Sequence, residues 1–267
     1  MKHVFSRRMI VAVAGLAATL LTGAARADLV LLGSDYFATV QPTFFTPLGA
    51  LNPLAGLPVG PGNTDTIVQR QANCALDLGS AGSNCSIPIE MVALQLVSTV
   101  NPMVMVRESP IQSSTGGMLI SSDGSGTGGT FDSFFDIFIE LSTDGGATFV
   151  PQPSPLHLAS AGAVWSTQAA GLLVAGPVGD QDANRHTNRN TAACPVFDDG
   201  QLCVDFFLVG TVTEQHPGVG VHTAEHAIPE PGSLALLGLA LVAAVAVGTG
   251  AARRRARSGW SGCGATA

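Results

Sequence analysis

An uncharged run of 20 residues, Ser233 to Ala252, constrains this chain more than any other feature. A helix rises about 1.5 Å per residue, so the run reaches about 30 Å, the thickness of a bilayer's hydrocarbon core. Gly238, Gly248 and Gly250 lower its helix propensity. In lipid, however, the backbone has no better partner than itself, and a transmembrane helix over 233–252 is expected. A buried core helix would need a polar face or a surrounding domain, and this segment has neither. Arg253, Arg254, Arg255 and Arg257 follow directly. Clustered positive charge beside a hydrophobic span is retained on the cytoplasmic side, so these arginines read as a stop-transfer signal and 258–267 as a cytoplasmic tail. Anionic headgroups would add about 1 kcal/mol per arginine. Nucleic acid is excluded as a partner, because the basic patch is short, lies beside the membrane and has no aromatic platform beyond Trp260.

The opposite end carries the complementary signal. Lys2, Arg7 and Arg8 precede an apolar run from Met9 to Leu21, and Ala25-Arg26-Ala27 follows. Residues 1–27 read as a secretory signal peptide, with Ala25 and Ala27 at the small-residue positions of a signal-peptidase site and cleavage expected before Asp28. Ser6-Arg7-Arg8 is also compatible with twin-arginine export.

Pro229, Glu230 and Pro231 stand immediately before the span. Two prolines forbid a regular helix and hold the preceding residues extended, which leaves a strand that a protease cleft can accept without unwinding. Pro-Glu-Pro, one span and a terminal arginine cluster, in that order over 228–257, resemble the C-terminal sorting signal of the PEP-CTERM family of exported bacterial proteins. The resemblance implies recognition of Pro229, Glu230 and Pro231 by an exosortase, a membrane-embedded cysteine transpeptidase-like enzyme. It further implies an association with exopolysaccharide and biofilm. The tail after the arginines is longer than the pattern requires, which leaves the exact cut undefined.

Between the two signals lies an acidic body, residues 28–227, with four arginines and no lysine against eighteen acidic residues, a formal charge of −14. Such a surface disfavours nucleic acid and anionic membranes and favours cations and solubility. Two hundred residues suffice for one domain with a proper core. Gly, Pro, Ser, Thr and Asn punctuate short apolar runs, and no segment sustains a helical period, so the expected fold is mainly β, a single antiparallel β-sandwich-like ectodomain. Expected strands are Leu29–Leu32, Ile87–Ser98, Met103–Arg107, Phe131–Leu141, Thr148–Val150 and Leu202–Thr213. Residues 41–63 read as an extended loop, and 113–130, rich in glycine, as a flexible excursion.

Asp144-Gly145-Gly146 reads as a tight turn after an alternating strand. Ser142, Asp144, Gly146, Thr148 and Phe149 also resemble the Asp-box of sialidase-like propellers, but the motif occurs once, so a hairpin whose aspartate caps its own turn is the better reading. Cys74 with Cys85 and Cys194 with Cys203 form two close pairs, while Cys263 lies in the tail. Export favours two disulfides, and four cysteines allow three connectivities, of which local pairing is preferred. Neither spacing suits a zinc site.

Catalytic and metal motifs are weak. His222, Glu225 and His226 match H-x-x-E-H, yet Gly218, Gly220 and Pro229 leave no helix to present them, and the stretch reads as a stalk before the membrane. Asp180, Asp182 and Asn184 mimic the start of a calcium loop, but Arg185 and Thr191 stand at the glycine and glutamate positions. His157 and His186 read as surface-loop residues, and there is no G-x-S-x-G or phosphate loop. The chain is therefore expected to be an exported, non-enzymatic protein without cofactor. It would be held in the inner membrane with its C-terminus cytoplasmic, then processed and passed to the cell surface or matrix. The alternative is a secreted carbohydrate-binding or carbohydrate-active protein on the same scaffold.

Overall fold

Residue alternation along single strands dictates the architecture. In β10 (Gly128–Ile137), Phe131, Ser133, Phe135 and Ile137 are buried while Asp132 and Phe134 are exposed, a period of two that gives one inner and one outer face. The alternation recurs in β5 (Thr66–Arg70), in most of β7 (Asn84–Ser98), in the second half of β9 (Ser114–Ser122) and at the start of β16 (Thr211–His216), while β2 (Gly33–Thr39), β13 (Leu156–Ser166) and β17 (Gly220–His226) interrupt it with runs of buried or half-exposed residues. The computed structural model describes residues 27–169, 171, 174 and 203–228.

These eight strands pair antiparallel in the order β2-β5-β7-β9-β10-β13-β16-β17, and β17 pairs back onto β2. Each strand thus neighbours the next of the set in chain order, and the last closes on the first. The result is an up-and-down barrel and not the two-layer sandwich expected from strand spacing. Closure removes the free edges that a sandwich would leave, and eight strands give an interior that side chains can just fill or that holds one small ligand.

Accessory strands close the ends. At the end where β2 finishes, β3 (Phe44–Phe45) pairs with β17 and β4 (Leu54–Gly56) with β7. Between them lies a 3-10 helix, Thr46–Leu51, and Phe45, Leu48 and Leu54 join the core. The segment 41–63, expected as an extended loop, is therefore a packed cover. At the other end, β1 (Asp28–Val30) pairs antiparallel with β6 (Cys74–Leu76) and parallel with β14 (Cys203–Val204). Nearby, β15 (Phe207–Val209) pairs with β13, and Trp165 stacks on Phe206 with ring centroids 5.3 Å apart. Arg70 lies 5.1 Å from the Phe206 centroid, bonded to Asp35 and to the Leu31 carbonyl. Outside the barrel, β8 (Met105–Glu108), β11 (Ile139–Ser142) and β12 (Val150–Pro151) extend the sheet from β7.

Three expected elements change. Residues 113–130 form the β9–β10 hairpin, because Gly116 and Gly129 lie where a Cβ would run into the carbonyls of Phe134 and Ser121 on the facing strand. Glycine here allows close strand approach. The expected strand Phe131–Leu141 divides at Phe138, whose N–H and C=O are drawn off to Ser114 Oγ and the Ser109 N–H. The expected strand Leu202–Thr213 breaks at Asp205-Phe206 and again at Gly210, whose φ is 75°.

Cys74 and Cys85 form a disulfide tying β6 to β7. Cys203 is also disulfide-bonded, and its expected partner Cys194 lies outside the described residues. Among the described residues no helix is long and apolar enough to cross a membrane. The expected span 233–252 lies outside them.

Candidate functional site

The inward positions of the barrel are not all apolar. On β16, Val212 and Glu214 are buried, and on β17, His222 and Ala224 are. Register sets Glu214 directly opposite His222. Both belong to strands that read T-V-T-E and V-H-T-A, in which polar residues occupy two of the four inward slots.

These two side chains border an interior cavity of about 30 Å³. Its walls are mainly apolar, with Phe37, Val68, Met91, Met118, Phe135 and Phe206 among them, and its polar groups come from Asp35, Thr66, Ser133, Glu214 and His222. Glu214 is 7% exposed and His222 5%. Ser133 Oγ donates to Glu214 Oε1 at 2.8 Å, and Thr43 Oγ1 lies 2.9 Å from His222 Nδ1. Glu214 Oε2 and His222 Nε2 have no protein partner. Leaving a buried polar atom without a partner costs about 1–3 kcal/mol, so two of them at one cavity are an unusual concentration.

Electrostatics follow from the burial. Desolvation pushes the Glu214 carboxyl up to about 7, with the Ser133 bond pulling the other way, and brings the His222 imidazole down to about 4. Near neutral pH the facing pair is therefore an uncharged imidazole beside a carboxyl at its titration midpoint. Asp35 is raised to about 6 by burial, against the opposing pull of Arg70. His226, stacked on Phe37 at 5.5 Å, is brought down to about 4, mainly by burial.

One seam of the wall is open. β13 and β16 share a single register pair, Ala159 with Gln215, because a bulge interrupts β13 where Asp132 accepts a bond from the Gly162 N–H at 2.7 Å. Gly162 has φ 69°, in the left-handed region that a bulge of this kind requires. The resulting outer cleft of about 780 Å³ runs between Ser160–Ala163 and Thr211–Gln215. Val212 borders both cleft and cavity, and Ser160 Oγ, in the cleft, lies 2.9 Å from Ser133 Oγ, itself bonded to Glu214. A hydrogen-bonded chain thus links the surface to the interior.

The motifs read from sequence distribute differently. His222, Glu225 and His226 lie on β17, the strand that closes the barrel, and not in a stalk. A strand sends 222 and 226 to one face and 225 to the other, which dismantles the H-x-x-E-H geometry. His157, expected in a loop, is on β13, where its Nδ1 lies 2.8 Å from Asp136 Oδ1 and its ring 5.5 Å from that of His216. Among the described residues no three His, Cys, Asp or Glu side chains are grouped to hold a metal ion. Asp144 caps its own turn: Thr148 Oγ1 donates to Oδ2 at 2.6 Å and Ser142 Oγ to Oδ1 at 2.7 Å, bonds that hold the carboxyl down at about 2. Ala25, His186, the calcium-like loop at 180–191, Pro229, Glu230, Pro231 and Arg253, Arg254, Arg255 and Arg257 lie outside the described residues.

Sequence reading missed Glu214 and the inward role of His222. The available signal was a charged residue at the apolar phase of an alternating strand. No protein-family model, curated protein or solved structure matches the chain.

Proposed function

We propose that this chain is an exported, non-enzymatic cell-surface or matrix protein that an exosortase processes at its C-terminal signal, in association with exopolysaccharide. The observation that carries the reading is the order of features after the barrel: Pro229-Glu230-Pro231, the uncharged run 233–252, then Arg253 to Arg257. Compatible with it, the barrel strands begin at Gly33 and end at His226, so the folded body occupies the stretch between the two terminal signals. A disulfide joining Cys74 and Cys85 suits an oxidising compartment. In this role the barrel is a cargo domain, delivered by the inner membrane and released or re-anchored when the span is removed. Replacing Pro229 and Pro231 by alanine together is expected to leave unprocessed, membrane-bound protein in an exosortase-positive host. Intact mass of membrane and medium fractions reads the result, and unchanged processing would refute the proposal.

A second reading, a secreted carbohydrate-binding or carbohydrate-active protein, has the β13–β16 cleft in its favour, since hydroxyl and amide groups of Ser160, Thr211, Thr213 and Gln215 border it. A glycan-array signal abolished by substitution at Thr213 would favour it.

A further inference from the structure

Buried carboxyls outnumber buried cations in and around the barrel. Facing inward or packed at its ends are Asp35 on β2, Asp65 just before β5, Arg70 on β5, Asp205 beside Phe206, Glu214 on β16, and His222 and His226 on β17. The residues that β7, β9 and β10 bring to the cavity, Met91, Met118, Phe131, Ser133 and Phe135, carry no charge. Arg70 Nε is bonded to Asp35 Oδ2 at 3.0 Å, which leaves Glu214 with hydroxyl support alone.

We infer that the cavity binds a small ammonium-type cation, ammonium or a short alkylammonium, with Glu214 as its counter-ion. One N–H donates to Glu214 Oε2 and another to His222 Nε2, whose proton then sits on Nδ1 and bonds Thr43 Oγ1. Both acceptor atoms are buried and lack protein partners, and they belong to residues held opposite each other by the β16–β17 register. Phe37, Phe131, Phe135 and Phe206 line the cavity with aromatic rings, surroundings that suit an organic cation. About 30 Å³ limits the guest to very few heavy atoms, and Met91 and Met118 are side chains that yield to a short alkyl group.

Other guests fit less well. An anion would meet Glu214 and Asp35. A divalent metal would need a third ligand, and no such group exists among the described residues. An uncharged alcohol satisfies the hydrogen bonds but leaves the carboxylate charge unmatched. The acidic body concentrates cations at its surface, and the β13–β16 cleft with its Ser160–Ser133–Glu214 chain marks the route inward.

Binding releases a proton whenever Glu214 starts protonated: the carboxylic acid plus R–NH3+ gives carboxylate paired with R–NH3+ and one H+ to solvent. The test is a titration of full-length protein in detergent with methylammonium chloride, against sodium chloride at matched ionic strength. Thermal unfolding and calorimetry in two buffers of different ionisation heat provide the readouts. Methylammonium is expected to raise the unfolding midpoint where sodium does not, to release up to one proton near pH 6, and to bind roughly fiftyfold more tightly at pH 7 than at pH 5. Tetramethylammonium, which has no N–H, should bind more weakly. Glu214→Gln should abolish the difference between the two salts. Equal effects of both salts, binding without proton release, or an undiminished response in Glu214→Gln would each overturn the proposal. Should that variant fail to fold, the proton count and pH slope of the unaltered protein decide.

Discussion

Asp35 and Glu214 are buried carboxylates that border the same cavity of the barrel, and their surroundings differ in one respect. Asp35 has a guanidinium, since Arg70 bonds to it, packs over Phe206 and reaches the Leu31 carbonyl. Glu214 has the Ser133 hydroxyl and a neutral histidine across the strand pair. Burial raises both by a similar amount, Asp35 from 3.8 to about 6 and Glu214 from 4.5 to about 7, and only at Asp35 does a guanidinium pull the other way. A cation fixed in the fold gives the first a built-in charged partner, whereas the second, on the same cavity, has only neutral ones.

The largest expected effect comes from removing that fixed cation. Arg70→Met should cost about 3–5 kcal/mol in urea unfolding at pH 7.5, because it strands a buried carboxylate. Asp35→Asn with Arg70→Met should recover part of the loss. A cost below about 1 kcal/mol would erase the contrast between the two sites.

Glu214→Gln tests the other side of the comparison. A carboxyl raised from 4.5 to about 7 contributes stability that is present below pH 4.5 and lost as pH rises to 7. Substitution should therefore leave stability nearly unchanged at pH 4.5 and raise it by roughly 3 kcal/mol at pH 8, if glutamine keeps the Ser133 bond. His222 and His226 work in the opposite sense, since imidazoles lowered from 6.5 to about 4 lose stability for the fold as pH falls through that interval. The Glu214 contribution thus stands clear of theirs between pH 6.5 and 7. Unfolding curves that keep the same pH slope in the variant would refute the assignment.

Smaller effects lie away from the interior. Cys74→Ser with Cys85→Ser should lower stability by roughly 2–3 kcal/mol, the loop-closure value for a short bridge, while leaving the pH slope intact. Asp144→Ala should move the unfolding midpoint least and instead speed proteolysis between Ser142 and Val150, because the side chain organises only its own exposed turn.

Local chemistry was legible in the residues. The Asp144 turn and the close Cys74–Cys85 pair are set by groups within twelve positions of each other, and both form as their spacing indicates. Barrel closure was not legible in the same way. It depends on β17 finding β2, and nothing in G-V-H-T-A-E-H distinguishes a closing strand from a linker when Gly218 precedes it and Pro229 follows. Likewise L-H-L-A-S-A-G-A-V-W-S is too poor in large side chains to signal β13, whose inward Leu158 and Trp165 are separated by a bulge that shifts the alternation. The candidate site suffered from the same blindness, since Glu214 becomes unusual only once the strand's inner face is known.

Because the final described strand latches onto the first member of the ring, the barrel is completed by its last residues to be synthesised. Any polypeptide interrupted before His226 would present two raw sheet margins, Gly33–Thr39 on one side and Thr211–His216 on the other. Folding of such a topology must wait for its last strand, and C-terminal truncations should accumulate as aggregates and not as partly folded fragments.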